Sequence, residues 1–228
     1  ESDFTLNEHL RSPEEFKTDE IPTVALHGMF KNAESVLERL LANVGPYVSE
    51  IVVALNDCTD DTEKILQAWG ELHNKRVDIT HINYENHPEL YILDKPETYA
   101  IGRSLCGENF GGPFTDGPIL ADWSAARNLV WDRCKADWRL FMDADDVLED
   151  PYAIWGITEA LTVNRVDLGL SKYHWAVNAD GQPRGASYRE RITSSNMNIR
   201  WIYPIHEVLY GSTKHSFIDG NLIAVDKR

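Results

Sequence analysis

Between residues 21 and 142 the chain repeats one unit, an apolar run followed by a helical stripe, and this repetition limits the fold more than any other feature. Residues 21–28 read as a buried first strand ending in a turn. Val36, Leu37, Leu40, Leu41 and Val44 then recur at helical spacing until Gly45-Pro46 stops the run. Asn32 is expected to cap this helix, with Glu34 favouring the dipole of its first turn. A second strand is expected over 51–55, then a helix with Ile65, Leu66, Trp69 and Leu72 inward, then a third strand over 77–84. Asp60 and Glu63 suit a capping box at the start of that helix. A β-α-β-α-β order implies parallel strands joined by right-handed crossovers.

Residues 86–120 break the rhythm, holding four of the ten prolines and five of the fourteen glycines. A loop of that length is usually functional or disordered, and its place in the order puts it over the carboxyl edge of the sheet. A helix over 123–135, with Ala125, Ala126, Leu129, Val130 and Cys134 inward, leads into the apolar residues Leu140 to Met142. That short strand stops in Asp143, Asp145 and Asp146. Acids at the end of a buried parallel strand lie where open α/β sheets bind ligands. On an extended backbone Asp143 and Asp145 point the same way. A divalent cation relieves their repulsion and offers open positions to phosphate oxygens. The plainer alternative is an acidic loop ahead of a helix, since Asp150-Pro151 suits an N-cap and a first helical position. That helix is expected to about residue 164, with strands over 167–177, 184–192 and 199–209 and a hairpin turn at Asn178-Ala179-Asp180-Gly181.

A formal charge of −15 argues against a nucleic-acid backbone or an anionic membrane as partner. An anionic small substrate remains compatible, because a metal inverts the local sign. No apolar run reaches the length of a membrane helix. Cys58, Cys106 and Cys134 show neither metal-type pairing nor a disulfide framework, so a reducing, cytoplasmic setting is expected. The chain opens on Glu1 rather than Met, and a place in a longer multidomain chain is expected. Residues 1–20 read as a polar arm ahead of a single domain over 21–228.

The order of these pieces resembles the family 2 glycosyltransferases with the GT-A fold. Residues 51–62 look like the family's second strand and its acidic turn, Ala126-Arg127-Asn128 like its alanine-arginine-asparagine helix start, and Asp143-Ala144-Asp145-Asp146 like its DxD motif. His206-Glu207 resembles a late histidine-glutamate pair found in one branch. The resemblance implies an α/β fold with a mainly parallel central sheet flanked by helices. Residues 21–150 would form the nucleotide-sugar half, and 151–228 a small mixed or antiparallel acceptor half. It also implies transfer of a sugar from a nucleotide-diphosphate donor of UDP or GDP type to a carbohydrate or other hydroxyl acceptor, with inversion, helped by Mn²⁺ or Mg²⁺. His27, Asn56, Asp57, Arg127 and Asp143 would meet the donor, and Asp143, Asp145 and His206 the metal. Leu55 stands where the family usually has a base-binding acid, leaving Asn56 or Asp57 to substitute, and Asp57 and Asp61 replace two family glycines. The general base falls to Glu207 or Glu190, with Asp180 at a hairpin tip a third carboxylate. Trp123, Trp175, Trp201 and Tyr203 suit stacking on sugar faces, although aromatic residues so spaced are more often core.

Two other functions fit the same acids. An apolar strand ending in Asp-x-Asp also opens the active site of haloacid-dehalogenase-like phosphohydrolases, where Asp143 would be nucleophile and Asp145 acid/base. Three βα units precede it here, whereas in those enzymes the motif opens the fold. A non-catalytic nucleotide- or carbohydrate-binding domain would keep the fold without a base.

Overall fold

The computed structural model describes residues 10–17, 20–177, 183–218 and 224–226, excepting the side chains of 175–177, 183–184 and 224–226. Asp180, the expected hairpin turn at 178–181, most of the expected arm and the Trp175 side chain therefore lie outside the described residues.

Strand β1 (Val24–Phe30) is followed by helix α1 (Glu34–Val44), which buries Leu37, Leu40, Leu41 and Val44 against the sheet. Each such aliphatic side chain stabilises the fold by roughly 1.5–3 kcal/mol. The cap of α1 differs from expectation. Asn32 adopts a left-handed φ of 46° and accepts a hydrogen bond from Thr59 N at 2.8 Å. Asp60 supplies the missing acceptor from the next loop, its Oδ2 taking Glu34 N at 3.0 Å.

Strand β2 (Glu50–Asn56) is buried along its whole length and leads to helix α2 (Thr62–His73) and strand β3 (Arg76–Ile82). Asp60 Oδ1 accepts from Thr62 N at 3.1 Å and Thr62 Oγ1 at 2.6 Å, so one carboxylate serves two helix starts and no capping box with Glu63 forms. Helix α2 turns Thr62, Leu66 and Gly70 inward, a spacing of four that puts Leu72 on the opposite face, 80% exposed. Gly70 is required there, because a Cβ would come within 2.5 Å of Val77.

The long segment after β3 is more ordered than its composition predicts. It contains strand β4 (Tyr91–Leu93), helix α3 (Ala100–Cys106) and strand β5 (Pro118–Leu120), with β4 and β5 paired antiparallel. Buried Asp94 ties it together, accepting from Thr115 N at 2.8 Å, Thr115 Oγ1 at 2.9 Å and Tyr99 Oη at 3.2 Å.

Helix α4 (Trp123–Trp131) is shorter than expected and turns Ala126, Arg127, Val130 and Trp131 inward, leaving Leu129 exposed. Strands β6 (Trp138–Phe141) and β7 (Asp146–Leu148) flank the acids, and helix α5 (Ile154–Val163) follows. Strands β8 (Leu168–Val177) and β9 (Pro183–Ser194) pair antiparallel. The expected strand over 199–209 is instead a two-stranded hairpin of β10 (Arg200–Ile202) and β11 (Val208–Tyr210). Short strands β12 (His215–Ile218) and β13 (Ala224–Asp226) complete the order.

The main sheet runs β3-β2-β1-β6-β9-β8-β13-β7, with β12 on β8. Strands β3, β2, β1 and β6 are mutually parallel, while β9 opposes both β6 and β8. The sheet is thus α/β in its first half and mixed in its second. Among the described residues no helix is long and apolar enough to cross a membrane.

Candidate active site

Because β6 is parallel to β1, its end delivers Met142 to Asp145 to the carboxyl edge of the parallel strands. The backbone does not stay extended. Asp146 N donates back to Asp143 O at 3.1 Å, closing a tight turn that carries Asp143, Ala144 and Asp145. Gly28 of β1 lies against it, where a Cβ would meet Met142 O at 2.7 Å. On the helix side, Arg39 donates to Asp145 O at 2.8 Å and Asn43 accepts from Leu148 N at 2.9 Å.

Two cavities meet at this turn. A cleft of about 490 Å³ lies beside the first turn of α1 and is lined by Lys31, Asn32, Ser35, Asp143 and Asp145. A smaller cavity of about 110 Å³ is lined by Asp143 with Arg127, Tyr173, Arg189, Glu190 and Glu207. Asp143 faces both. Of the carboxylates expected in the site, Asp143, Glu190 and Glu207 thus share one cavity, while Asp145 lies in the neighbouring cleft.

Arg127 and Glu207 come together as a pair. Glu207 Oε1 accepts from Arg127 Nε at 2.9 Å and from Nη2 at 2.5 Å, with both side chains largely buried. The guanidinium stacks 4.3 Å from the Phe141 ring centroid and 4.9 Å from that of Trp201. Its Nη1 is buried and has no acceptor among the described residues. Trp201 is 5% exposed and serves this stack from inside, whereas Trp123 and Tyr203 reach the surface.

Other expected residues are placed differently. His27 is wholly enclosed, packed edge-on to Trp131 with centroids 4.8 Å apart, and presents no surface to a donor. Burial, with the nearby Arg139 and Arg127 charges, lowers its pKa to about 3. His206 sits exposed in the turn between β10 and β11 with a left-handed φ of 57°, so the neighbouring His206 and Glu207 differ in exposure. Asn56 ends β2 buried, and Tyr91 Oη donates to its Oδ1 at 2.9 Å and lies 3.4 Å from Asp57 Oδ2. Asp57 is exposed at a φ of 47°, a left-handed conformation that glycine adopts without strain. Among the described residues no three His, Cys, Asp or Glu side chains gather closely enough to hold a metal by themselves.

The third acid, Asp146, points inward and lines neither cavity. It is fully buried and ion-paired with Arg191 at 3.0 Å, and burial raises its pKa to about 6 against the opposing pull of Arg191. Arg189 and Arg191 on β9 were not singled out in the sequence. Their only signal is the alternation Arg189-Glu190-Arg191, which a solvent-facing strand shows equally.

No protein-family model matches the chain, and no curated protein matches it. Solved structures do match. Residues 1–349 of S. aureus TarS in complex with UDP align with a TM-score of 0.58 at 13% identity, covering 89% of this chain and 60% of that one. The same fragment in complex with UDP-GlcNAc aligns with a TM-score of 0.60 at 12% identity, covering 90% and 59%. A TarS structure of longer chain gives 0.57 at 14% identity, covering 90% and 37%. The chain thus spans about three-fifths of the TarS fragments it matches. At this identity the likeness is one of architecture: the chain has the GT-A fold.

Proposed function

We propose that the chain is the nucleotide-sugar-binding and catalytic unit of a divalent-metal-dependent glycosyltransferase that moves a sugar from a nucleotide diphosphate to an acceptor hydroxyl with inversion. The observation that carries this reading is the acidic turn at the end of β6, set between a wide cleft and a small cavity holding two further carboxylates. The wide cleft suits the donor and the small cavity the reacting hydroxyl. UDP and UDP-GlcNAc in the TarS structures support a uridine diphosphate-sugar as the first donor to test.

The residues fit a hard cation. Asp143 and Asp145 supply oxygen ligands lining one cleft, and Mg²⁺ or Mn²⁺ held by one or two carboxylates plus substrate phosphates needs no third protein ligand. When bound, such an ion offsets charge on the diphosphate leaving group. Exposed His206 is a less central candidate for that shell. Arg127 was expected beside the diphosphate, yet it directs two N–H donors at Glu207, and we assign it the orientation of that carboxylate. Glu207 Oε2 takes no hydrogen bond from a described residue, so it is the oxygen available to accept the proton of the attacking hydroxyl. Glu190, in the same cavity, is the alternative base.

The test is turnover of a nucleotide-sugar panel with Mn²⁺. Release of nucleotide diphosphate supports the transferase, release of inorganic phosphate from a phosphomonoester assayed alongside the panel supports the phosphohydrolase, and neither supports a binding domain. Asp145→Asn should abolish Mn²⁺-dependent UDP binding by calorimetry while leaving the melting temperature within a few degrees. Unchanged metal-dependent binding would remove Asp145 from the site.

A further inference from the structure

Among the described residues Arg191 is one of the most buried charged groups, 3% exposed, and it stands where strand register brings β9 to the acidic turn. Leu140 pairs with Ile192 in the antiparallel ladder, so the next position sets Arg191 beside Phe141, the last residue of β6. From there Nη1 donates to Phe141 O at 3.1 Å and Nη2 meets Asp146 Oδ2 at 3.0 Å. The same Oδ2 accepts from Asp143 N at 3.2 Å. The guanidinium plane lies 4.6 Å from the Tyr173 ring centroid and 5.7 Å from that of Phe141, which restricts its rotation.

We propose that Arg191 is the positioning residue of the acidic turn, one guanidinium holding both the carbonyl that enters the turn and the carboxylate that leaves it, so that Asp143 and Asp145 are presented as a pair. The argument rests on the metal-binding role given to those two acids above. The planar fork of arginine reaches two acceptors in fixed relation, whereas a lysine ammonium is a single point charge. Asp146 completes the device: it spans the turn by holding Arg191 on one side and Asp143 N on the other. Arg39, from α1, bonds to Asp145 O on the opposite side, so the turn is held from two layers.

The experiment compares the wild-type chain with Arg191→Lys and with the paired variant Arg191→Gln, Asp146→Asn, which avoids stranding a buried charge and so guards against simple unfolding. Hydrogen exchange is read at the amides of Asp143 and Asp146, with β1 and β2 amides as internal reference, and calorimetry follows Mn²⁺ with UDP. In the paired variant we expect exchange at the turn to accelerate about tenfold or more with the reference amides unchanged, and Mn²⁺-dependent UDP affinity to fall by about 10–100-fold, the usual effect of losing a partner that orients a metal ligand. Arg191→Lys should recover the melting temperature without recovering that affinity. Unchanged exchange at Asp143 and Asp146 overturns the proposal, as does full rescue of turn and affinity by lysine. Failure of the wild-type chain to bind Mn²⁺ and UDP would instead remove the metal-site reading, leaving the exchange result to judge the clamp.

Discussion

At the scale of single residues, burial decides what each ionisable group does. His27 is held neutral in the folded chain because burial depresses its pKa from 6.5 to about 3. Its contribution is therefore present above about pH 6.5 and is lost as pH falls toward 3, since only the unfolded chain takes up the proton. The loss runs at roughly 1 kcal/mol for each pH unit crossed in that window. His27→Leu should flatten the acid limb, losing fewer degrees of Tm between neutral and mildly acidic pH than the wild type. Equal losses in thermal melts would show that acid sensitivity originates elsewhere. Glu207, the proposed general base, carries the opposite kind of expectation, since it lines a cavity with Asp143. Glu207→Gln should lower kcat by about 10²–10⁴-fold with donor KM preserved, the range for a lost general base. If steady-state kinetics find kcat intact in Glu207→Gln and lost in Glu190→Gln, the base is Glu190.

At the scale of elements, side chains from one loop finish another. Asp60 accepts from the first turns of both α1 and α2, so Asp60→Ala should cost about 1–2 kcal/mol, the upper range for a lost cap, and a few degrees of Tm. Asp61→Ala is the control. Asp61 occupies the N-cap position without a side-chain cap bond, and a melt should barely register its loss. The elements legible in the sequence were those with their own apolar pattern: β1 to β3, β6, β8, β9, α1, α2, α4 and α5. Strands β7 and β13 were not, because three residues become a strand only through a partner some eighty positions away. The β4–β5 pair escaped notice for a related reason, being held by Asp94 rather than by an apolar pattern. Of the site, Glu190 and Glu207 were legible only as alternative bases, because no acid-pair motif marks them, and their place in one cavity with Asp143 comes from the fold. The pairing of Arg127 with Glu207 was not legible either, since an arginine on a helix does not announce its acceptor.

For the whole molecule, the charge of −15 adds self-repulsion that the folded state concentrates. Raising NaCl from about 20 mM to about 300 mM should therefore raise Tm, as screening shortens the reach of that repulsion. A falling Tm would mean that surface ion pairs outweigh it. The pairing of Asp146 with Asp226 and of Val147 with Val225 bears on time rather than on energy. As the chain grows from its N-terminus, both acids of the turn are made some eighty residues before the strand that borders them. Contacts that distant in sequence close slowly. The acidic turn is thus among the last parts of the molecule to be completed, and it takes its final form only after the rest has folded around it.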